Sequence, residues 1–132
     1  MTRYAIDAST ALRIIRDGVI VSPDHQLVAP NVLRSQVMSS LYGLLRAGEI
    51  DAAESRALLD RLTELRIRVL GDRMSRGTAW RLAVKQEWDD TAQAEYIAVA
   101  QLQADALITL DDDLARRADG LVPLAPFEAL TK

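Results

Sequence analysis

Short apolar runs separated by longer amphipathic segments recur through the chain. Continuous apolar runs at Tyr4–Ile6, Leu27–Ala29 and Ala106–Leu110 predict buried strands, because strands covered on both faces need not alternate apolar and polar residues. Leu65–Leu70 alternates apolar and charged side chains, which predicts a strand with one face more exposed to solvent than the other. The proline within Leu121–Leu124 predicts a last strand at the edge of a sheet.

Segments with apolar residues at helical spacing connect these strands. Pro30 suits the first turn of a helix, where its missing N–H is not needed, and Asp51 with Glu54 three residues later predicts a capping box. Trp80 falls among the apolar positions of its segment, so we expect it to point inward. We predict a loop at Val19–Gln26, a turn at Pro126–Thr131, and helices at Ser9–Arg16, Asn31–Ala47, Asp51–Leu62, Ser75–Gln86, Thr91–Gln103 and Asp111–Ala118.

This order of elements indicates the fold class. Helical connections between successive strands favour parallel pairing, with helices covering both faces of the sheet. We therefore expect an α/β fold, a three-layer α/β/α sandwich with a mostly parallel central sheet. The chain has 132 residues, of which 49% are hydrophobic, which predicts a single domain over residues 1–132 with its own core.

The amino-acid composition argues against several classes of catalytic and metal site. The chain has no cysteine, which excludes disulfides, thiolate zinc sites and thiol catalysis. Its one histidine, His25, lies in a polar stretch, which argues against a Ser-His-Asp triad or a histidine-rich metal site. Without a signal-peptide pattern or an apolar run of membrane-spanning length, we expect a cytoplasmic protein with no membrane partner. The net charge of -3 opposes RNA binding through bulk positive charge but is compatible with a metal-dependent nuclease.

The candidate metal-binding acids lie at the ends of two predicted strands. Asp7 follows the first strand and Asp111 follows the strand Ala106–Leu110, and a helix is predicted after each acid. Because parallel strands end at the same edge of a sheet, we expect the two carboxylates to meet there. Asp90 and Gln36 can approach from neighbouring helices. Carboxylate oxygens suit Mg²⁺ or Mn²⁺, which activates water and neutralises a phosphodiester; the alternative is that each acid only caps a helix.

The chain also resembles a known family. The resemblance rests on Asp7-Ala8-Ser9, the helix after Pro30, the segment Ala94–Ala98 and the segment Ala106–Asp111. In this order and spacing they look like the PIN domain, and the whole chain resembles VapC-type ribonuclease toxins of type II toxin–antitoxin modules. The resemblance implies a metal-dependent endoribonuclease with an acidic site, an antitoxin whose tail occupies the cleft, and a homodimer.

The family pattern also has an acid on the helix after Pro30 and another just before the tyrosine of the later helix. Gln36 and Gln93 stand at those positions here, so only the two strand-end acids carry over, and the two amides are expected to play a supporting part. Asp90 lies three residues before Gln93, on roughly the same face of a helix. It is therefore the leading replacement ligand, and Glu95, which points away from that face, is a poorer one.

The leading hypothesis is thus a hydrolase of RNA phosphodiesters. Asp7 and Asp111 hold the metal, Asp90 adds charge or orients a water, Asp113 is a secondary ligand, and Ser9 hydrogen-bonds an acid or a water. The competing hypothesis is a catalytically weakened PIN-like domain that binds antitoxin or RNA. A phosphotransferase with Asp7 as nucleophile is disfavoured, because such chemistry needs a second acid where this chain has Ser9.

Basic residues supply candidate contacts to RNA phosphates, although solvated helix faces carry such residues routinely. Trp88 is a candidate for contact with nucleic acid or a partner, and the apolar hairpin from Asn31 to Leu62 is a candidate dimer or partner face. The expected phosphate contacts are Arg73, Arg76, Arg81 and Arg116.

Overall fold

The computed structural model describes all residues from Met1 to Lys132. Four parallel strands form one sheet in the order β3-β2-β1-β4. The strands are β1 (Thr2–Ile6), β2 (His25–Pro30), β3 (Arg68–Leu70) and β4 (Ala106–Ile108). The helices are α1 (Ala8–Asp17), α2 (Leu33–Arg46), α3 (Ala52–Glu64), α4 (Arg73–Gln86), α5 (Ala92–Gln103) and α6 (Asp112–Ala118), followed by a 3-10 turn at Phe127–Thr131.

The central strands lie in a core that is closed on both faces. Ala5 of β1 is in register with Val28 on one side and Leu107 on the other, and all three are buried. Helix α5 packs on β1 and β2 and is covered in turn by α4, while α1, α2 and α3 pack on one another. The predicted α/β fold with a parallel central sheet is confirmed. None of the helices has both the length and the hydropathy that crossing a bilayer requires.

The predicted strands at the two edges of the sheet are wrong in extent. Only Arg68–Leu70 of the predicted Leu65–Leu70 pairs with β2, because Leu65 ends α3 and its carbonyl accepts a hydrogen bond from Arg34 at 3.0 Å. Leu121–Leu124 forms a single bridge between Leu107 and Leu124 rather than a strand, since Pro123 has no N–H to donate to a ladder.

Two further predictions around β2 and α4 are also wrong. Pro30 is the last residue of β2 rather than part of a helix, and α2 begins at Leu33. Trp80 is 66% exposed. Helix α4 instead buries Ala79 and Ala83 against α5, because small side chains let two helix backbones approach closely and leave no room for an indole.

Candidate active site

Asp7 is the first residue beyond β1, and it caps α1. The residue is only 4% exposed. The Ser9 hydroxyl donates to Oδ1 at 2.8 Å and to Oδ2 at 2.9 Å, and the Thr10 backbone N–H donates to Oδ1 at 3.0 Å. Every ion pair of the molecule lies elsewhere. Neutral donors therefore hold this buried carboxylate in one orientation with no cation beside it.

Thr109 joins Asp7 to the end of the neighbouring strand. Its hydroxyl donates to Asp7 Oδ2 at 2.6 Å and accepts from the backbone N–H of Asp111 at 3.0 Å. The backbone N–H of Leu110 donates to the Ser9 hydroxyl at 3.1 Å, which adds a second link between the two strand ends. Sequence reasoning missed this bridging role of Thr109; its place between a buried strand and an acid was the available signal.

Asp111 lies at the same edge as Asp7 but is exposed. It caps α6, and its Oδ1 accepts from the backbone N–H groups of Asp113 at 2.9 Å and Leu114 at 3.3 Å. The Thr109 hydroxyl thus links the Asp7 carboxylate to the backbone of Asp111 at the same edge of the sheet. Both are also helix caps, as the alternative reading of the sequence had it.

Gln36 approaches the site from α2 and meets Tyr96 of α5. The Tyr96 hydroxyl donates to Gln36 Oε1. Burial raises the pKa of Tyr96, and the negative charges of Asp7 and Glu95 raise it further. Tyr96, which sequence reasoning used only as a landmark, therefore stays protonated beside Asp7 and fixes the Gln36 amide with its single proton.

Gln93 faces the other side of the site, toward Asp113. A hydrogen bond from Arg116 lowers the pKa of Asp113, and Arg117 and Gln93 contribute to the same shift. The Arg116 guanidinium lies 2.6 Å from the Asp113 carboxylate and that of Arg117 lies 3.8 Å from it. Asp113 is thus already paired with two arginines, whereas the buried Oε1 of Gln93 has no protein hydrogen-bond partner.

The remaining candidate ligands are Asp90 and Glu95. Asp90 is exposed in the loop before α5, where its Oδ1 accepts from the Ala92 N–H at 3.1 Å. Because α5 begins at Ala92, Asp90 does not share a helical face with Gln93. Glu95 lines a cavity of about 230 Å³ together with Arg76 of α4, at the carboxyl ends of β2 and β3.

Two solved structures are similar to this chain over nearly its whole length. The crystal structure of PAE2754 from Pyrobaculum aerophilum is 23% identical with a TM-score of 0.69, and the alignment covers 98% of this chain and 93% of that one. The structure of VapBC-1 from nontypeable Haemophilus influenzae is 16% identical with a TM-score of 0.61, covering 96% and 98%. The chain has the VapC-like PIN fold. No family model and no curated protein matches its sequence.

The donor set of this PIN fold suits a hard divalent cation but offers few charged ligands. No group of three or more His, Cys, Asp or Glu side chains could hold a metal ion, so Asp90 and Asp113 do not complete a carboxylate cage around Asp7 and Asp111. Mg²⁺ is commonly held by one or two carboxylates and retains several waters. Two carboxylates without ion pairs, with the unpartnered Oε1 of Gln93, fit Mg²⁺ or Mn²⁺ on those terms.

Proposed function

We propose that residues 1–132 form one PIN-like domain that acts in the cytoplasm as a metal-dependent endoribonuclease toxin and is neutralised by a cognate antitoxin. The observation that carries the proposal is that two acids, Asp7 and Asp111, lie at the carboxyl edge of a parallel sheet, where the Thr109 hydroxyl links the Asp7 carboxylate to the backbone N–H of Asp111. Ligands collect at this edge in open α/β sheets. The similarity in fold to VapBC-1 supports the class of activity and the antitoxin partner.

Asp7 and Asp111 would hold Mg²⁺ or Mn²⁺, with the amide oxygens of Gln36 and Gln93 in support and with Asp90 adding charge from outside. A divalent cation in this position supplies positive charge against the scissile phosphodiester and makes water a better nucleophile.

The chain's own residues prepare the site in three ways. The hydroxyls of Ser9 and Thr109 orient the Asp7 carboxylate by donating to it, and they leave it without a neutralising cation. The Tyr96 proton fixes the Gln36 amide oxygen beside it. The caps on Asp111 Oδ1 leave its Oδ2 free of protein donors. Each contact limits reorganisation when a charged substrate arrives.

The partners belong to the proposal as well. We propose that the α2–α3 hairpin meets the antitoxin or a second protomer, because Met38 and Tyr42 lie one helical turn apart on α2 and are both exposed. Exposed large apolar side chains at helical spacing are typical of protein contact surfaces.

The test uses the purified full chain, free of antitoxin, and end-labelled structured RNA. Cleavage should require Mg²⁺ or Mn²⁺, stop with excess chelator, and be abolished in Asp7→Asn and Asp111→Asn. Asp51→Asn is the matched control, because Asp51 caps α3 through a similar hydrogen bond, to the Glu54 N–H at 2.7 Å, and has no part in the site. RNA cleavage that persists in chelator, or that survives Asp7→Asn, contradicts the proposal.

The alternative is a catalytically weakened PIN-like domain that binds antitoxin or RNA. It is favoured by a specific observation: the amides of Gln36 and Gln93 stand where acids are expected, and no third acid joins Asp7 and Asp111. A wild-type protein that cleaves no RNA with either metal, yet binds antitoxin tightly, would establish this alternative.

A further inference from the structure

Helix α4 exposes an apolar stripe that no other part of the molecule covers. Trp80 and Val84 are 66% and 64% exposed. Trp80 and Val84 are four residues apart and therefore neighbours on the helix surface. Large apolar side chains that are this exposed and contiguous mark binding surfaces. Trp88 is different, because it is half-buried and Arg117 stacks on its ring at 5.1 Å.

The charge of this helix identifies the chemistry of its partner. In a chain of net charge -3, the helix itself contains no Asp or Glu, and none of its basic side chains forms an ion pair. Asp72 and Glu87 lie only at its two ends. This excess of positive charge favours a negatively charged partner that also offers flat or apolar groups to an indole. A second copy of this same face is a poor partner, because like charges would oppose one another. The basic residues of the helix are Arg73, Arg76, Arg81 and Lys85.

The stripe lies next to Arg76, at the carboxyl edge of the sheet. Arg76 lines the cavity at the carboxyl ends of β2 and β3, and these strands end at the same edge of the sheet as β1 and Asp7. Trp80 is four residues beyond Arg76, about one helical turn or ~6 Å along the axis. A chain leaving the Asp7 edge past Arg76 reaches the exposed indole next.

We infer that α4 is a binding surface for the unpaired part of a single-stranded RNA, with a base stacked on Trp80 and phosphates held by Arg73, Arg76 and Arg81. The inference rests on the proposed ribonuclease function for its choice of ligand. Alternating aromatic and cationic groups bind single strands because every base has a π face and every nucleotide carries a phosphate. Bases inside a duplex cannot reach the indole, so the surface selects unpaired segments.

The experiment measures binding of a short fluorescein-labelled single-stranded RNA to the full chain by fluorescence anisotropy, in excess chelator. Trp80→Ala should weaken binding about tenfold, and Trp80→Phe should retain most of the affinity. Arg73, Arg76 and Arg81 replaced together by Gln should reduce the slope of log affinity against log salt by about 2. Ile20→Ala is the control for loss of an exposed apolar side chain, since Ile20 is among the most exposed apolar residues. Replacing the exposed Arg56, Arg66 and Arg68 by Gln is the control for an equal change in net charge.

Tryptophan fluorescence gives an independent readout. In the Trp88→Phe variant, Trp80 is the only indole, and single-stranded RNA should quench its emission. In the Trp80→Phe variant, the emission of Trp88 should not respond. A duplex of the same sequence should bind more weakly and insensitively to Trp80→Ala, and single-stranded DNA should show the same dependence on Trp80 as RNA, because stacking does not read the 2′-hydroxyl.

The outcomes separate this inference from the proposed function. RNA that binds through Trp80 but is never cleaved with Mg²⁺ or Mn²⁺ supports the surface and overturns the nuclease. Cleavage and binding that are unchanged in Trp80→Ala and in the α4 arginine variant overturn the surface and leave the nuclease standing. Loss of an acidic protein partner in the α4 variants, with RNA affinity intact, also overturns the inference and assigns the face to that protein.

Discussion

Replacing Thr109 by valine tests whether the two strand-end acids depend on the hydroxyl between them. Valine has nearly the shape of threonine but neither donates nor accepts a hydrogen bond. The change removes the 2.6 Å bond to Asp7 Oδ2 and the 3.0 Å bond from the Asp111 N–H, while the β4 backbone and the apolar core around Ile108 stay the same.

The two lost hydrogen bonds contribute differently to the free energy of unfolding. The Asp111 N–H is exposed, so water replaces the hydroxyl at little cost. Asp7 is buried, and a hydrogen bond to a charged group contributes about 1.5–3 kcal/mol. We expect Thr109→Val to lower the free energy of unfolding by about 2 kcal/mol. Thr109→Ser keeps the hydroxyl and should recover most of that loss.

A double-mutant cycle measured by urea unfolding isolates the contact with the carboxylate. In the Asp7→Asn background the same hydroxyl meets a neutral amide, so Thr109→Val should cost only about 1 kcal/mol, which leaves a coupling energy of about 1 kcal/mol. Equal losses in the two backgrounds, within about 0.5 kcal/mol, would refute the reasoning, because Thr109 would then stabilise the fold independently of the Asp7 charge.

Three further predictions concern charges around the site and the start of α4. Burial raises the pKa of Tyr96, so the free energy of unfolding should fall as pH rises above about 10 and fall less in Tyr96→Phe, as urea unfolding at rising pH can show. Gln36→Glu and Gln93→Asp should raise Mg²⁺-dependent RNA cleavage if the two amides limit the site; unchanged rates would show that another residue already supplies the charge. A hydrogen bond from Ser75 lowers the pKa of Asp72, so its stabilising effect is present above about pH 4 and is lost below it. Asp72→Asn should therefore lower Tm at neutral pH, and the difference from wild type should vanish in acid.

The elements that sequence reasoning placed correctly are those fixed by local physics. Continuous apolar runs predict β1 and β4, because a strand that is buried on both faces has no solvent-exposed side that needs polar residues. Asp51 caps α3 as predicted, since the cap is a contact within four residues. The predicted inward orientation of Trp80 is wrong because Ala79 and Ala83 are the residues that pack against α5. This is a contact between two helices, which the hydrophobic pattern of one helix cannot reveal.

The residues of the candidate site likewise separate into those that local sequence order predicts and those that depend on tertiary packing. The order of strand, acid and helix placed Asp7 and Asp111 at one edge, because parallel pairing alone brings strand ends together. The contact between Tyr96 and Gln36 instead links residues sixty positions apart. It depends on how α2 and α5 pack, which residue spacing cannot predict. The pairing of Asp113 with Arg116 is different, because it joins residues three positions apart on α6 and could have been predicted from their spacing.

Capping and metal binding are not competing roles for these two acids. A carboxylate has about four acceptor positions, and in each acid the cap uses Oδ1: Asp7 Oδ1 accepts from Thr10 and Asp111 Oδ1 accepts from Asp113 and Leu114. Asp111 Oδ2 is left without a protein donor, whereas Asp7 Oδ2 also accepts from the hydroxyls of Ser9 and Thr109, so the orientation of each carboxylate is set before any ligand arrives. Helix capping therefore does the positioning that a site with only two charged ligands needs, because it has no further acids to hold a cation in place.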